Sequence, residues 1–223
     1  YQMLYQKASD NLKEDNSAWG QYGLFQANWE LLNRDQDFMG SLVWSFDWRS
    51  TIGGNAQAFN FHLDTGSLWP TDFVHLDWGP WVAQFFWEQW FKKDVFVTRV
   101  GNQFSSSVYD NFRFKDGRTS FTAAPYTLPV SSIPTGPPGL AANFEWWPIK
   151  DSEFYIVGTV NDLNAKGGEW VWHRPFRYGQ FFYGLEVGHF WRRAKDDFDH
   201  LHLNVFYADE RDTKPPVRMI ESE

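Results

Sequence analysis

The feature that most constrains the fold is a run of alternating apolar and polar or small residues between positions 177 and 192. One side of the run carries Phe181, Tyr183, Leu185, Val187 and Trp191, and the other carries Gln180, Phe182, Gly184, Glu186 and Gly188. Because side chains alternate along a strand with period two, the run predicts one long β-strand rather than a helix. Long strands that are apolar on one side and aromatic at their ends are typical of transmembrane β-barrels.

The composition favours such strands over a soluble core. Aromatic residues make up 20% of the 223 residues, with 14 Trp and 22 Phe, yet the mean hydropathy is negative. Strands that alternate lipid-facing and lumen-facing residues combine these properties, because only one of their faces is apolar. No apolar run approaches the roughly 18 residues that a membrane helix needs. A helical membrane protein is therefore excluded.

The charge, the cysteine count and the chain ends narrow the class further. A formal net charge of -8 argues against a nucleic-acid partner, because phosphate binding needs a basic surface. The chain has no cysteine, which removes disulfides, thiolate metal sites and Cys nucleophiles. Residues 214–223 resemble a loop and not a closing aromatic strand. We therefore expect the sequence to stop in the middle of a barrel.

The alternating pattern predicts about eight strands in four hairpins, at 20–33, 38–50, 81–91, 95–101, 139–147, 153–161, 177–192 and 198–208. Residues 1–18 are polar and predict a periplasmic lead-in or a short helix, so that 19–223 form the barrel. Short turns alternate with long loops at 51–79 and 102–138, as in outer-membrane barrels. The predicted fold is thus an all-β, antiparallel transmembrane barrel.

The two long loops have different expected roles. The sequence of 51–79 contains several turn signals, and we expect an outward loop with a short strand near 58–63. The loop at 102–138 is irregular and rich in Ser, Pro, Gly and charged residues. Loops of this length are uncommon without a function. We expect it to fold into the lumen and constrict a pore.

An ordered set of segments carries further information: FWEQ at 86–89, VTRVG at 97–101, GPPGLA at 136–141, YIVGTVNDLNA at 155–165, FYGLEVG at 182–188 and LNVFYADERD at 203–212. These segments resemble the OprB-type carbohydrate-selective porins of the outer membrane. The resemblance implies a barrel of about sixteen strands that passes sugars across the bacterial outer membrane, of which this chain would supply about half. It implies no enzymatic activity and no cofactor. The implied partners are sugars, outer-membrane lipid, and further copies in a trimer or other outer-membrane proteins.

The polar sides of the predicted strands supply the candidate pore-lining residues Asp47, Arg49, Glu88, Trp90, Arg99, Glu145, Glu186, His200 and His202. Candidates for narrowing the pore come from the long loop: Arg113, Lys115, Asp116 and Arg118. Aromatic faces stack on the C–H faces of sugar rings, and charged groups exchange hydrogen bonds with hydroxyls. Such binding has to be weak enough for release. The competing interpretation of any single charge is that it only solvates a water-filled lumen.

Metal binding and catalysis have little support in the sequence. His200 and His202 lie on one side of a predicted strand, where they could chelate a metal together with Glu186. Polar lining of a lumen is the commoner role of such a pair, and we predict no metal. Neither a phosphate loop nor a nucleophile elbow is present. We predict no catalytic residue.

Two rival functions remain open at this point. One is a structural outer-membrane barrel or a channel for another small solute, and the other is a soluble β-sandwich that binds polysaccharide. A sandwich packs its apolar strand faces between two sheets, whereas a barrel turns them to lipid. The residues that distinguish these cases are Trp44, Phe46, Phe181 and Leu203. For a barrel, girdle packing is the predicted role of Trp44, Trp48, Trp81 and Trp191.

Overall fold

The computed structural model describes residues 1–10, 12, 16–53, 56–68, 70, 72, 74–109, 138–149, 153–165, 174–190 and 200–210. They form one antiparallel sheet whose strands are β1 (Gln2–Lys7), β2 (Ser17–Leu32), β3 (Gly40–Thr51), β4 (Gly79–Lys92), β5 (Phe96–Gln103), β6 (Gly139–Trp146), β7 (Phe154–Asp162), β8 (Phe181–Phe190) and β9 (His200–Ala208). The order of the strands in the sheet is their order in the chain. The all-β antiparallel prediction is confirmed.

In the part of the connections that the structure describes, two short helices, α1 (Phe61–Asp64) and α2 (Arg174–Tyr178), lie between strands, and one 3-10 turn spans Ser105–Ser107. In the described part of the chain, no helix is long and apolar enough to cross a membrane.

The sheet has an exposed apolar face and a buried polar face. The first, here called the outer face, carries exposed side chains of Phe25, Phe46, Trp48, Leu185 and Leu203. The second, the inner face, carries buried side chains of Ser41, Asp47, Val97, Asn143 and Glu186. This arrangement reverses that of a soluble protein, in which apolar side chains fill the core. It contradicts the soluble β-sandwich, because the described strands form a single sheet and Leu203 is 67% exposed.

The two ends of the sheet differ in the length of their connections. At one end, the short-turn end, β2 joins β3 through 33–39, β4 joins β5 through 93–95, and β6 joins β7 through 147–153. At the other end, the long-connection end, the chain runs through 52–78, 104–138 and 163–180. The predicted alternation of short turns with long loops is therefore present in the strand bounds.

The first strand differs from the lead-in or short helix expected for residues 1–18. Gln2–Lys7 forms β1, which pairs with residues 17–22 of β2. The ring of Tyr5 lies 4.5 Å from that of Trp19, and both side chains are exposed on the outer face. Most of the charged residues within 1–18, on which the predicted lead-in rested, come after this strand in the sequence. A six-residue strand with three polar side chains carries too little periodicity to be recognised in isolation.

Two predicted strand segments are helical instead. The segment near 58–63 contains α1, and its buried residues Ala58, Phe59, Phe61 and His62 have the spacing of a helix rather than of a strand. Residues 177–180 belong to the end of α2 and the turn that follows it. Gly179 has φ +60°, and its N–H donates to the carbonyl of Pro175, so a glycine ends this helix. The strand predicted at 177–192 therefore begins at Phe181.

A β-bulge in β4 changes the orientation of Trp81. Ser45 pairs with Gln84 and the next residue, Phe46, pairs with Val82, so Ala83 is an extra residue without a partner in β3. The extra residue reverses the facing of the residues that precede it. Trp81 is consequently buried on the inner face, and its predicted place in the outer girdle is wrong. Trp44 and Trp48 do lie on the outer face, while Trp191 lies outside the described residues.

Candidate functional site on the inner face

Strand register aligns a row of polar residues across the inner face. Successive cross-strand pairs join Ser41 to Glu88, Glu88 to Arg99, Arg99 to Asn143, and Asn143 to Thr159. Directly opposed residues of antiparallel strands have Cβ atoms about 5 Å apart, so neighbours in this row are in reach of one another. The hydroxyl of Thr159 donates to the amide oxygen of Asn143. The row provides a continuous set of hydrogen-bonding groups over five strands.

The centre of this row is an arginine shared by two carboxylates. Nε of Arg99 donates to Oε2 of Glu88 over 2.7 Å, and Nη1 of Arg99 contacts Oε1 of Glu145. The indole N–H of Trp90 donates to the other oxygen of Glu88 over 3.1 Å. One guanidinium and two carboxylates give this group, the Arg99 triad, a net charge of -1. All four residues are predicted pore-lining residues, and the structure brings them together.

A second ion pair lies near the long-connection end of the same face. Nη2 of Arg49 donates to Oδ2 of Asp47 over 2.7 Å, and both side chains are largely buried. The guanidinium lies 5.0 Å from the ring centroid of Tyr22 and 5.3 Å from that of Trp78, which is cation–π distance. The structure thus places Asp47 and Arg49 on the inner face, apart from the Arg99 triad and largely buried.

Glu186 and His202 lie on the inner face, in β8 and β9. Glu186 is fully buried and accepts a hydrogen bond of 2.5 Å from the hydroxyl of Tyr155. His202 pairs with Gly188 on this face. The backbone of His200 pairs with that of Phe190, but the side chain of His200 lies outside the described residues. No group of three residues suited to bind a metal occurs in the part of the chain that the structure describes.

The start of the connection at 104–138 crosses the inner face toward β8 and β9. Tyr109 is fully buried; its ring packs edge-on against Phe182, and its hydroxyl donates to the carbonyl of Val205 over 3.3 Å. Because β5 lies three strands from β8, the chain has to pass over β6 and β7 to make these contacts. Arg113, Lys115, Asp116 and Arg118 lie outside the described residues, so their role in narrowing a pore stays a prediction.

The absence of a side chain at Gly184 leaves space for the ring of Tyr109, and a substitution at Gly184 tests whether this contact anchors the connection. A Cβ at Gly184 would lie 2.8 Å from Cε2 of Tyr109. We expect Gly184→Ala to displace Tyr109 and to speed trypsin cleavage within 104–138 several-fold, because anchored loops resist local opening. The digest is followed by mass spectrometry. Gly23→Ala is the control, since its Cβ meets nothing closer than 3.7 Å. Equal cleavage rates would show that Tyr109 does not anchor the connection.

Described residues of 56–78 also pack on the inner face, and the outward direction expected for this loop stays a prediction. His75 lies against Gly20 of β2, where an added Cβ would come within 2.5 Å of the histidine Cβ. The carboxylate of Asp72 accepts hydrogen bonds from the backbone N–H groups of Val74 and His75, and one of its oxygens is 3.0 Å from Nδ1 of His75. Sequence reasoning missed these residues. The glycine within a strand is the one signal that points to a close approach.

Comparisons with known proteins identify the fold but no sequence family. No family model and no curated protein matches the chain. A solved structure, the high-pH structure of Pseudomonas putida OprB, matches with a TM-score of 0.66 at 9% sequence identity. The match covers 92% of this chain and 50% of that one, so the chain spans half the length of its structural neighbour. The nine strands of the described residues therefore have the fold of about half of this neighbouring structure.

Proposed function

We propose that the chain forms part of an outer-membrane pore through which small carbohydrates diffuse. The observation that carries the proposal is the contrast between the two faces of the sheet. An exposed apolar face suits contact with lipid, and a polar face with the Arg99 triad suits contact with water and hydroxylated solutes. The porin fold of the neighbouring structure supports the same location, in the outer membrane of a bacterium.

The Arg99 triad fits weak and reversible recognition of a sugar. Glu88 accepts hydrogen bonds from Trp90 and Arg99. Its side chain is 13% exposed, and that of Glu145 is 19% exposed. Carboxylates and guanidinium groups held in place by each other can exchange hydrogen bonds with hydroxyls without a large rearrangement. The side chain of Trp90, hydrogen-bonded to Glu88, offers an aromatic surface beside them. In this proposal the protein carries out no chemical step.

Conductance measurements test the proposal. In planar bilayers we expect an open-channel current that sugars block in a concentration-dependent way, because a sugar held at the triad displaces conducting ions. Glu88→Ala or Arg99→Ala is expected to change the concentration needed for half-maximal block several-fold. A current that no sugar changes would leave a pore for another solute, and the absence of any current would favour a structural barrel.

A further inference from the structure

The outer face contains a groove of about 300 Å³ between β2, β3 and β4. It is lined by Trp29, Leu42, Trp44, Val82 and Phe85, and no polar atom contributes to its surface. The groove is open to its surroundings on the outer side rather than enclosed. The groove faces away from the Arg99 triad, so it belongs to a different surface.

The β-bulge of β4 explains why the groove occurs at this position. Outward side chains normally follow one another at every second residue of a strand. In β4 the extra residue Ala83 is turned inward and is 1% exposed, so the outward residues Val82 and Phe85 are three positions apart. The gap opens beside Trp44, the cross-strand partner of Phe85. Because the β-bulge in the backbone forms the groove, the groove exists without a bound ligand.

Aromatic contacts hold one wall of the groove in a fixed position. The ring of Trp44 lies 5.3 Å from that of Phe25 and 6.0 Å from that of Trp29, in a tilted and an edge-to-face arrangement. Such contacts restrict rotation of the indole and stabilise its position. A rigid groove loses little conformational entropy when an occupant enters it.

We propose that this groove binds one acyl chain of a membrane lipid, an inference that rests on the proposed location of the outer face in lipid. The absence of polar lining atoms excludes a ligand that needs hydrogen bonds there, because its polar groups would be desolvated without compensation. Lipid tails already surround the sheet, so the preference comes from dispersion contacts with the rigid aromatic wall rather than from the hydrophobic effect.

A second copy of the chain is a poorer occupant of this groove. A stable protein interface buries roughly 800 Å² on each partner, contributed by about 20–30 residues. The groove has five lining side chains, which is far fewer.

Photo-crosslinking in vesicles tests the proposal. The protein is inserted into phosphatidylcholine vesicles that contain a lipid with a diazirine on one acyl chain, and labelled residues are identified by mass spectrometry. We expect Leu42 and Val82 to be labelled at least about threefold more than exposed outer-face residues away from the groove, because a bound chain stays longer than a passing one. The reference residues are Val100, Leu185 and Leu203, which are 55%, 46% and 67% exposed.

Two substitutions separate binding in the groove from differences in residue reactivity. Val82→Phe fills the groove and is expected to reduce labelling of Leu42 to the level of the reference residues. Val100→Phe adds the same side chain on the outer face of β5, outside the groove, and is expected to leave labelling of Leu42 unchanged. Equal labelling of groove and reference residues in the unmodified protein would overturn the proposal without any variant.

The remaining outcomes distinguish a failure of acyl-chain binding in the groove from a failure of the proposed membrane location. Labelling of the reference residues but not of the groove would overturn acyl-chain binding and indicate a second copy seated there. If no outer-face residue is labelled, the outer face does not contact lipid, and the membrane location fails together with the groove. Uniform labelling of the outer face overturns only the groove.

Discussion

Replacing Arg99 with Met is expected to lower the free energy of unfolding by about 3 kcal/mol, as is usual when one partner of a largely buried ion pair is removed. The substitution leaves Glu88 and Glu145 close together without the guanidinium that both contact. Their side chains are 13% and 19% exposed, so water replaces the lost contacts only in part. Urea unfolding in detergent micelles measures the change.

A triple variant provides the matched control for this substitution. Glu88→Gln, Arg99→Met and Glu145→Gln together remove all three charges, and we expect them to restore most of the lost stability, because a neutral replacement of a buried ion network is often tolerated. In the proposed pore, Arg99→Met alone changes the charge of the triad from -1 to -2 and should raise the preference for cations. A single variant as stable as the unmodified protein would show that the triad contributes no net stability.

Gly188→Ala is expected to destabilise the protein by about 2 kcal/mol, the usual range for overpacking a buried position. An added Cβ would overlap the ring of Tyr155 on the neighbouring strand. That ring is 2% exposed, lies 5.0 Å from Trp147 and 5.3 Å from Phe190, and donates its hydroxyl to Glu186, so it has little freedom to move. The urea midpoint again provides the measurement.

Gly23→Ala is the appropriate comparison, because Gly23 also lies within a strand. Its added Cβ meets only ordinary contacts, the closest being 3.7 Å from the ring of Trp48. Alanine loses less backbone entropy on folding than glycine, so this variant should be neutral or more stable by up to about 1 kcal/mol. If both alanine variants changed stability equally, the contact between Gly188 and Tyr155 would have no special role.

The sequence predicted the faces of most strands, because each face of a half-buried strand imposes its own residue types. In β3 the alternation of Leu42, Trp44, Phe46 and Trp48 with Ser41, Ser45, Asp47 and Arg49 matches the observed outer and inner faces. In β6 Asn143 and Glu145 lie inward, as their alternation predicted. The acidic and basic members of the Arg99 triad were identified for the same reason. Their mutual contact was not predicted, since Arg99 and Glu145 are brought together only by strand register.

The remaining features depend on contacts that a period-two pattern does not encode. A single extra residue at Ala83 leaves the alternation almost intact but reverses the orientation of Trp81. The placement of His75 on Gly20, and of Tyr109 on Gly184, joins segments that are far apart in sequence. In both cases the position that the distant side chain approaches is a glycine within a strand. Before the structure is known, nothing in the sequence tells which distant side chain occupies the space above such a glycine.

The agreement between strand order and chain order has a consequence for how the sheet assembles. Each described strand pairs only with its immediate neighbours in sequence, so the entropy cost of closing the loop for each pairing depends on one connection. Closing 104–138 costs about 2 kcal/mol more chain entropy than closing 93–95, on the logarithmic dependence of loop closure. The hairpin of β4 and β5 is therefore the least costly nucleus among the described strands. We expect the sheet to grow from this hairpin at either edge, one strand at a time.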